Sequence, residues 1–396
     1  MTNFQSDLIC FSHLRWTFVF QRPQHLMSRF ARHSRVYYVE EPVFGADDAR
    51  LTISVCPRTG VHVVTPVLPE NVGSSQSSAL LRGLVRELLN REAIRDFAVW
   101  YYTPMALEFT DDLNPVLTVY DCMDELSAFA NAPDGMLQNE RMLFNKADLV
   151  FTGGASLFEA KRSKHDRVHL FPSSVDVAHF SQALAIHEDP AEQKPIPRPR
   201  IGYAGVIDER MDLDLIRYVA DGRPDWHILL VGPVVKIDPQ RLPQRGNIHY
   251  FGMKSYDELP AYLSGWDVAL LPFAQNEATR FISPTKTPEY LAAGLPVVST
   301  PIRDVVRPYG ESGLVAIGRG REHFLHCVEQ QLYEDRPAVW QADVRAFLSS
   351  HSWDKTWDSM QQLMSRHAAR NRRVVDPKPA AAQAIAFTPE TSVARV

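Results

Sequence analysis

Several features that would classify this chain quickly are scarce or missing. Cysteine is rare: Cys10, Cys56, Cys122 and Cys327 are the only four in 396 residues, and no two form a C-x-x-C pair. That spacing gives no zinc signature and fits a reducing compartment. Basic excess is also missing. Against 47 Asp and Glu stand 42 Lys and Arg, a net charge of −5, which argues against a general nucleic-acid surface. No stretch approaches the roughly 20 apolar residues of a membrane span. Residues 1–16 (MTNFQSDLICFSHLRW) lack the basic start and long apolar core of a secretion signal. The expectation is a cytoplasmic protein, with peripheral contact at the inner face of a membrane left open. Nor does a G-x-G-x-x-G follow the first strand, where SHLRW stands instead. This argues against a nicotinamide-dependent dehydrogenase.

What is present is a repeated alternation of short apolar runs and helical patterns. Hydrophobic content of 45% and charged content of 22% are ordinary for a globular protein, and the length suggests two to three domains. Residues 7–12 (DLICFS), 35–40, 98–102, 116–120 and 149–152 read as strands. One or two more fall within 51–65, followed by a loop to 78. The alternation restarts at residue 200 with RIGYAG, WHILLVG, NIHYFG and DVALLP. Between the two halves, HEDPAEQKPIPRPR has four prolines and little apolar content, which predicts an extended, exposed linker. The expected organisation is a first α/β domain over 1–180, a linker over 181–199, and a second α/β domain over 200–350. A last helix over 351–369 and a disordered tail over 370–396 follow. Two such halves define a cleft, and open α/β sheets bind ligands at the carboxyl ends of their strands.

The stretch 276–300, NEATRFISPTKTPEYLAAGLPVVST, carries the densest set of candidate binding groups. A polar loop with Arg280, Ser283, Thr285 and Lys286 precedes a short helix. Thr287 is placed as its N-cap, Pro288 as its first residue and Gly294 at its end. Cations beside free backbone N–H groups describe an anion site, and Glu289 offers a carboxylate to sugar hydroxyls. The competing reading is that these residues only start a helix, with Lys286 solvated. Gly205, Gly232 and Gly252 close three consecutive strands, as close approach of backbone to a ligand requires. In the first half, His13 follows the first strand. Asp121 and Asp124 flank a strand-to-helix junction, where acid/base work and helix capping are both open. Residues 80–89 (LLRGLVRELL), with Arg82, Arg86, Arg91 and Arg95 largely off the apolar face, suit a membrane-surface helix or a helix packed on a sheet.

Seven segments together resemble a known family. They are SHLRWTFVFQRPQHL, VYDCMDELSAF, DLVFTGGASLFEAK with PSSVD, GVIDERMDLDL, NIHYFG and NEATRFISPTKTPEYLAAG with its continuation LPVVST. The chain resembles GT-B glycosyltransferases over about residues 5–367. The fold implied is two Rossmann-like domains with parallel sheets facing a central cleft. It is most similar to bacterial family 1-type members of surface polysaccharide assembly, including teichuronic-acid enzymes; some relatives occur beside UDP-galactopyranose mutase. The resemblance implies transfer of a sugar from a nucleotide-sugar donor, UDP-linked, to a glycan or lipid-linked acceptor. The donor is a substrate, and no cofactor is implied. Glu289 would bind the donor ribose. Lys286 and Arg280, with Ser283, Thr285 and the helix start at Thr287, would hold the diphosphate. Arg210 matches the basic residue on the first loop of the second half, beside Gly205 and Gly232. Tyr250, Phe251 and Gly252 would meet the base through their backbone. No metal is implied, since cations and amides take its place. Retaining members carry E-x7-E ending at the position of Glu289, but Phe281 stands where the first glutamate belongs. The nearest acid is Glu277, so retention and inversion both stay open. For inversion, Asp121 is favoured as the base, with Asp124 or His13 as its partner. Two alternatives remain: a catalytically inactive nucleotide-sugar-binding module of a polysaccharide complex, and a sugar-nucleotide epimerase.

Overall fold

The computed structural model describes residues 4–129, 132–335 and 339–375. Its frame is two separate β-sheets. The first holds β1 (Asp7–Phe11), β2 (Val36–Val39), β3 (Val43–Ala46), β4 (Arg50–Val55), β5 (His62–Pro69), β6 (Phe97–Tyr101), β7 (Leu117–Cys122), β8 (Leu149–Thr152) and β9 (Val168–Leu170). The second holds β10 (Arg200–Ala204), β11 (His227–Val231), β12 (Ile248–Gly252), β13 (Val268–Leu271), β14 (Val297–Ser299) and β15 (Ala316–Ile317). All pairings are parallel except that of β4 with β5. Runs such as FAVWY and VALL are buried along their whole length. Parallel sheets covered on both faces need such runs, without apolar–polar alternation.

Strand order decides where a ligand can sit. The first sheet runs β5-β2-β1-β6-β7-β8, and the second runs β12-β11-β10-β13-β14-β15. Each reverses direction once, at β1/β6 and at β10/β13. A crevice opens beyond the strand ends at such a reversal.

Three segments differ from the sequence expectation. The helix Ser74–Arg91 begins inside the expected loop. Its Leu81, Leu84, Val85 and Leu88 are buried in the protein's own core, while Arg82 and Arg86 pair with Asp112 at 2.6 and 2.5 Å. Its apolar face is therefore already used, which removes it as a membrane-surface element. The segment 181–199 is mostly exposed, as expected, but it is turned rather than extended and is anchored on the second half at Ala183, Gln193 and Ile196. Gln193 is fully buried; its amide donates to the Tyr262 carbonyl and accepts from Trp266 Nε1. Ile196 is also buried, and Asp189 pairs with Arg200 at 2.8 Å. Satisfied hydrogen bonds let a polar segment dock where its composition alone predicts solvent. Lastly, the helix Trp353–Val375 extends beyond 369 and returns to the first half. Its Trp353, Trp357, Met360 and Met364 share a core with Phe30 and Trp100. The expected tail beyond Val375 lies outside the described residues. Among the described residues no helix is long and apolar enough to cross a membrane.

Candidate active site

A cleft of about 820 Å³ lies between the halves. The second half contributes Gly205, Val206 and Arg210 after β10, Phe273 after β13, and Ser283, Thr285 and Lys286. The first half contributes Gln21, Arg22, Met123, Asp124, Gly153 and Ser173. A second chamber of about 1230 Å³ adjoins it beyond β1 and β6, lined by His13 and Thr103 among others. Gln21, Asp124, Val206 and Arg210 line both spaces. The two crevices created by strand order therefore meet at Asp124.

Lys286 opens the helix Lys286–Ala292, with Thr285 before it. The helix thus starts earlier than the Thr-Pro pair suggested. Proline is tolerated through the first turn because those N–H groups have no intrahelical acceptor, so Pro288 need not be the first residue. Thr287 lies inside the helix as a result, and its buried hydroxyl finds no hydrogen-bond partner among the described residues. Gly294 follows the helix with φ +79°, the left-handed conformation that suits glycine after a helix end. Lys286 Nζ donates to Glu289 Oε2 at 2.7 Å. The Glu289 side chain is 5% exposed and that of Lys286 14%. Burial raises the Glu289 carboxyl above its usual range, and Lys286 pulls it back.

The rest of the stretch 276–300 diverges. Glu277 and Arg280 pair with each other at 3.4 Å and are largely exposed. They line a separate groove with Ser156 and Arg303, away from the cleft. Tyr250 donates its hydroxyl to the Pro243 carbonyl, and Phe251 packs on Tyr262; neither lines the cleft. The strand-end glycines sit side by side. A Cβ on Gly232 would stand 1.9 Å from the Gly205 carbonyl oxygen, and Gly232 N–H donates to the Gly252 carbonyl at 2.8 Å. Among them Gly205 alone reaches the cleft lining.

The three first-half candidates occupy different places. Asp121 is completely buried. Its oxygens accept from Arg22 Nε at 3.0 Å and Nη2 at 2.8 Å, and Arg22 also donates to the Phe171 carbonyl. Asp121 therefore anchors Arg22, which does line the cleft, and does not itself reach it. Arg22 was not singled out by sequence; the available signal was an arginine opening a helix just after the first strand's loop. Asp124 does line the cleft, and its carboxylate accepts no hydrogen bond among the described residues. Burial raises its pKa, with Arg210 the strongest opposing charge. His13 has a buried Nδ1 without a hydrogen-bond partner among the described residues. Burial, then Lys236, lowers its pKa to about 4, so the ring is neutral at pH 7. Arg210 is held by Asp208 through Nε at 3.0 Å and Nη2 at 2.6 Å, and lies 5.5 Å from the Phe129 ring centre.

Two doubly wound halves with a cleft between their strand ends define the GT-B fold of glycosyltransferases. Within that fold, residues 198–334 match the family described as Glycosyl transferases group 1. A Bacillus subtilis (strain 168) protein named as a teichuronic acid biosynthesis glycosyltransferase, TuaH, is 26% identical over 202 residues, 46% of this chain and 50% of that protein. The match thus spans about half the length of that curated relative. Among solved structures, a sucrose-phosphate synthase from Thermosynechococcus elongatus superposes with a TM-score of 0.68 at 13% identity, covering 92% of this chain and all of that one. Anabaena HepE in complex with UDP gives a TM-score of 0.61 at 12% identity, covering 91% of this chain and 100% of its own. An E. coli trehalose-6-phosphate structure bound with UDP-2-fluoro glucose gives 0.66 at 11%, covering 92% and 99%. At these identities the likeness speaks for the fold.

Proposed function

We propose that this chain is a glycosyltransferase of surface polysaccharide synthesis. It takes a sugar from a UDP-linked donor and passes it to a glycan or lipid-linked acceptor. It acts in the cytoplasm, with peripheral membrane contact where the acceptor is lipid-linked. The observation that carries this is the convergence of Lys286, Arg210 and Arg22 on one cleft at the strand-end reversals. Each is held in place by a carboxylate, Asp121, Asp208 or Glu289, and their remaining N–H groups offer a diphosphate hydrogen bonds that strengthen as charge builds on the departing nucleotide. Glu289, held by Lys286, is set to accept from ribose hydroxyls. The UDP and UDP-sugar bound in structures of similar fold favour uridine. Asp124, where donor cleft and neighbouring chamber meet, takes the proton from the attacking hydroxyl. A carboxylate at that junction, with Phe281 in place of a second glutamate and Glu277 outside the cleft lining, supports inversion. The donor is a substrate, and the reading needs no separate cofactor.

The test is calorimetric titration of UDP into the wild type, Lys286→Ala and Glu289→Ala, after a thermal-shift screen of UDP-, GDP- and dTDP-sugars. UDP affinity at least tenfold weaker in both variants is expected. Unchanged affinity in both would sink the donor-site assignment. Phe281 also motivates the inactive-module reading, and release of UDP with any acceptor extract excludes it. The anomeric configuration of the product, read by proton NMR, decides the stereochemical route.

A further inference from the structure

The chamber beside the donor cleft has an unequal lining. Met105, Leu126 and Met136 give it apolar walls, while Glu41, Asp124, Asp208 and Arg210 line it with charge. One cation on its rim stands out. Lys236 is exposed and makes no ion pair among the described residues, whereas Arg210 beside it is neutralised by Asp208. The nearby carboxylates Glu41 and Asp124 feel the Lys236 charge but do not pair with it. Its backbone is also unusual. Lys236 and Ala93 are the described non-glycine residues with positive φ, and φ is +60° at Lys236. That conformation costs free energy in any residue with a Cβ. Sequence could have relieved it with glycine. The side chain kept there lies 5.6 Å from the centre of the Phe129 ring, an arrangement that steadies an ammonium group without neutralising it.

We infer that Lys236 is a specificity-determining residue for an acidic acceptor, a saccharide carrying a carboxylate or phosphate near the hydroxyl that attacks. This rests on the reading of Asp124 as the base at the chamber's inner end. The acidic group pairs with Lys236 at the rim, while the hydroxyl reaches Asp124. Lys236 is the lining cation without a carboxylate partner among the described residues, so this charge contact is the one that distinguishes an acidic acceptor from a neutral one. It acts on binding, so it governs KM more than kcat.

The test pairs each neutral saccharide with its acidic counterpart: methyl glucoside with methyl glucuronide and with glucose 6-phosphate, and a neutral oligosaccharide with a uronic-acid oligosaccharide. Each is titrated into the protein by calorimetry with and without UDP. The acidic members are expected to bind at least tenfold more tightly, with the preference shrinking as salt rises. The carboxylate and phosphate arms show which acid the site takes. Lys236→Gly removes the charge and suits φ +60°, so it should fold at least as well as the wild type and lose the preference. Lys236→Arg should keep it. With an accepted acidic substrate, Lys236→Gly should raise KM about tenfold with kcat little changed. Equal binding of neutral and acidic members, or a preference that survives Lys236→Gly, overturns the inference. Loss of UDP binding alone counts against the donor reading and leaves this comparison intact.

Discussion

Asp121 and Asp124 stand three residues apart and meet opposite fates. Asp121, next to last in β7, faces inward, where Arg22 takes up its carboxylate; Asp124, past the strand end, faces the cleft. Asp124→Asn should therefore lower kcat by about 10²–10⁴-fold, the usual contribution of a general base, while UDP affinity holds. The pH profile gives a second check. The base must be ionised, so activity rises with pH as Asp124 loses its proton. Burial puts that acid limb above the ordinary value of 3.8. A profile unmoved in Asp124→Asn would reassign the base. Asp121→Asn should show itself in stability instead. It leaves the Arg22 guanidinium buried without its counter-charge, at a cost of about 3–5 kcal/mol, measurable by urea unfolding. That two acids mark this junction was legible in the sequence. Which of them faces a ligand was not, because it depends on an arginine 99 residues away.

At the scale of elements, chain reading worked where local chemistry decides and failed where packing does. Buried strands were legible because a covered parallel strand must be apolar throughout. The strand-end glycines were legible for a related reason. Gly232, at φ +145° with the Gly205 carbonyl against its α-carbon, has no room for a Cβ. Gly232→Ala should lower stability by roughly 2–4 kcal/mol from strain and overpacking together and weaken UDP binding by shifting Gly205. A variant with wild-type unfolding midpoint and UDP affinity would show that the backbone yields easily there. The exposed strand β3 and the docking of residues 181–199 were not legible, since neither carries an apolar periodicity. The loop after β7 has a further support that sequence hides. Lys161 is buried with Glu125 and Glu140 at 2.7 and 2.6 Å. Lys161→Met strands two partly or wholly buried carboxylates and should cost about 3–5 kcal/mol. Because Glu125 adjoins Asp124, kcat should fall with it; a loss of stability with kcat intact would confine Lys161 to a structural role.

Over the whole molecule, the relation between the halves sets whether Lys286 and Arg210 face Asp124 across the cleft. Two covalent crossings join the halves, the segment 181–199 and the approach to the helix Trp353–Val375. The second was not legible: WDKTWDSMQQLM gives a helix, but only packing against Trp100 and Phe30 shows that it returns to the first half. Across the cleft, Phe20 and His25 pack on the Tyr256 ring, Arg58 pairs with Asp257 at 2.9 Å, and a further set of contacts is polar. Asp304 of the second half, itself buried, accepts from the Ser156 backbone N–H at 3.0 Å and from its hydroxyl. Ser173 donates to the Ser283 carbonyl at 3.2 Å, and Glu159 pairs with Arg303 and Arg307. Gly154 lies at their centre. A Cβ there would come within 2.3 Å of the Asp304 carboxylate and 2.8 Å of Ser283 Cβ, so the halves meet as they do only because residue 154 has no side chain. Gly154→Val should act as a wedge. Small-angle scattering should report a larger radius of gyration, and kcat should fall at least tenfold while the unfolding midpoint changes little. Asp304→Ala should give a milder opening, since it removes a hydrogen-bond acceptor without adding bulk. Scattering curves identical to the wild type in both variants, with kcat preserved, would mean that the contact at Gly154 and Asp304 does not hold the halves together.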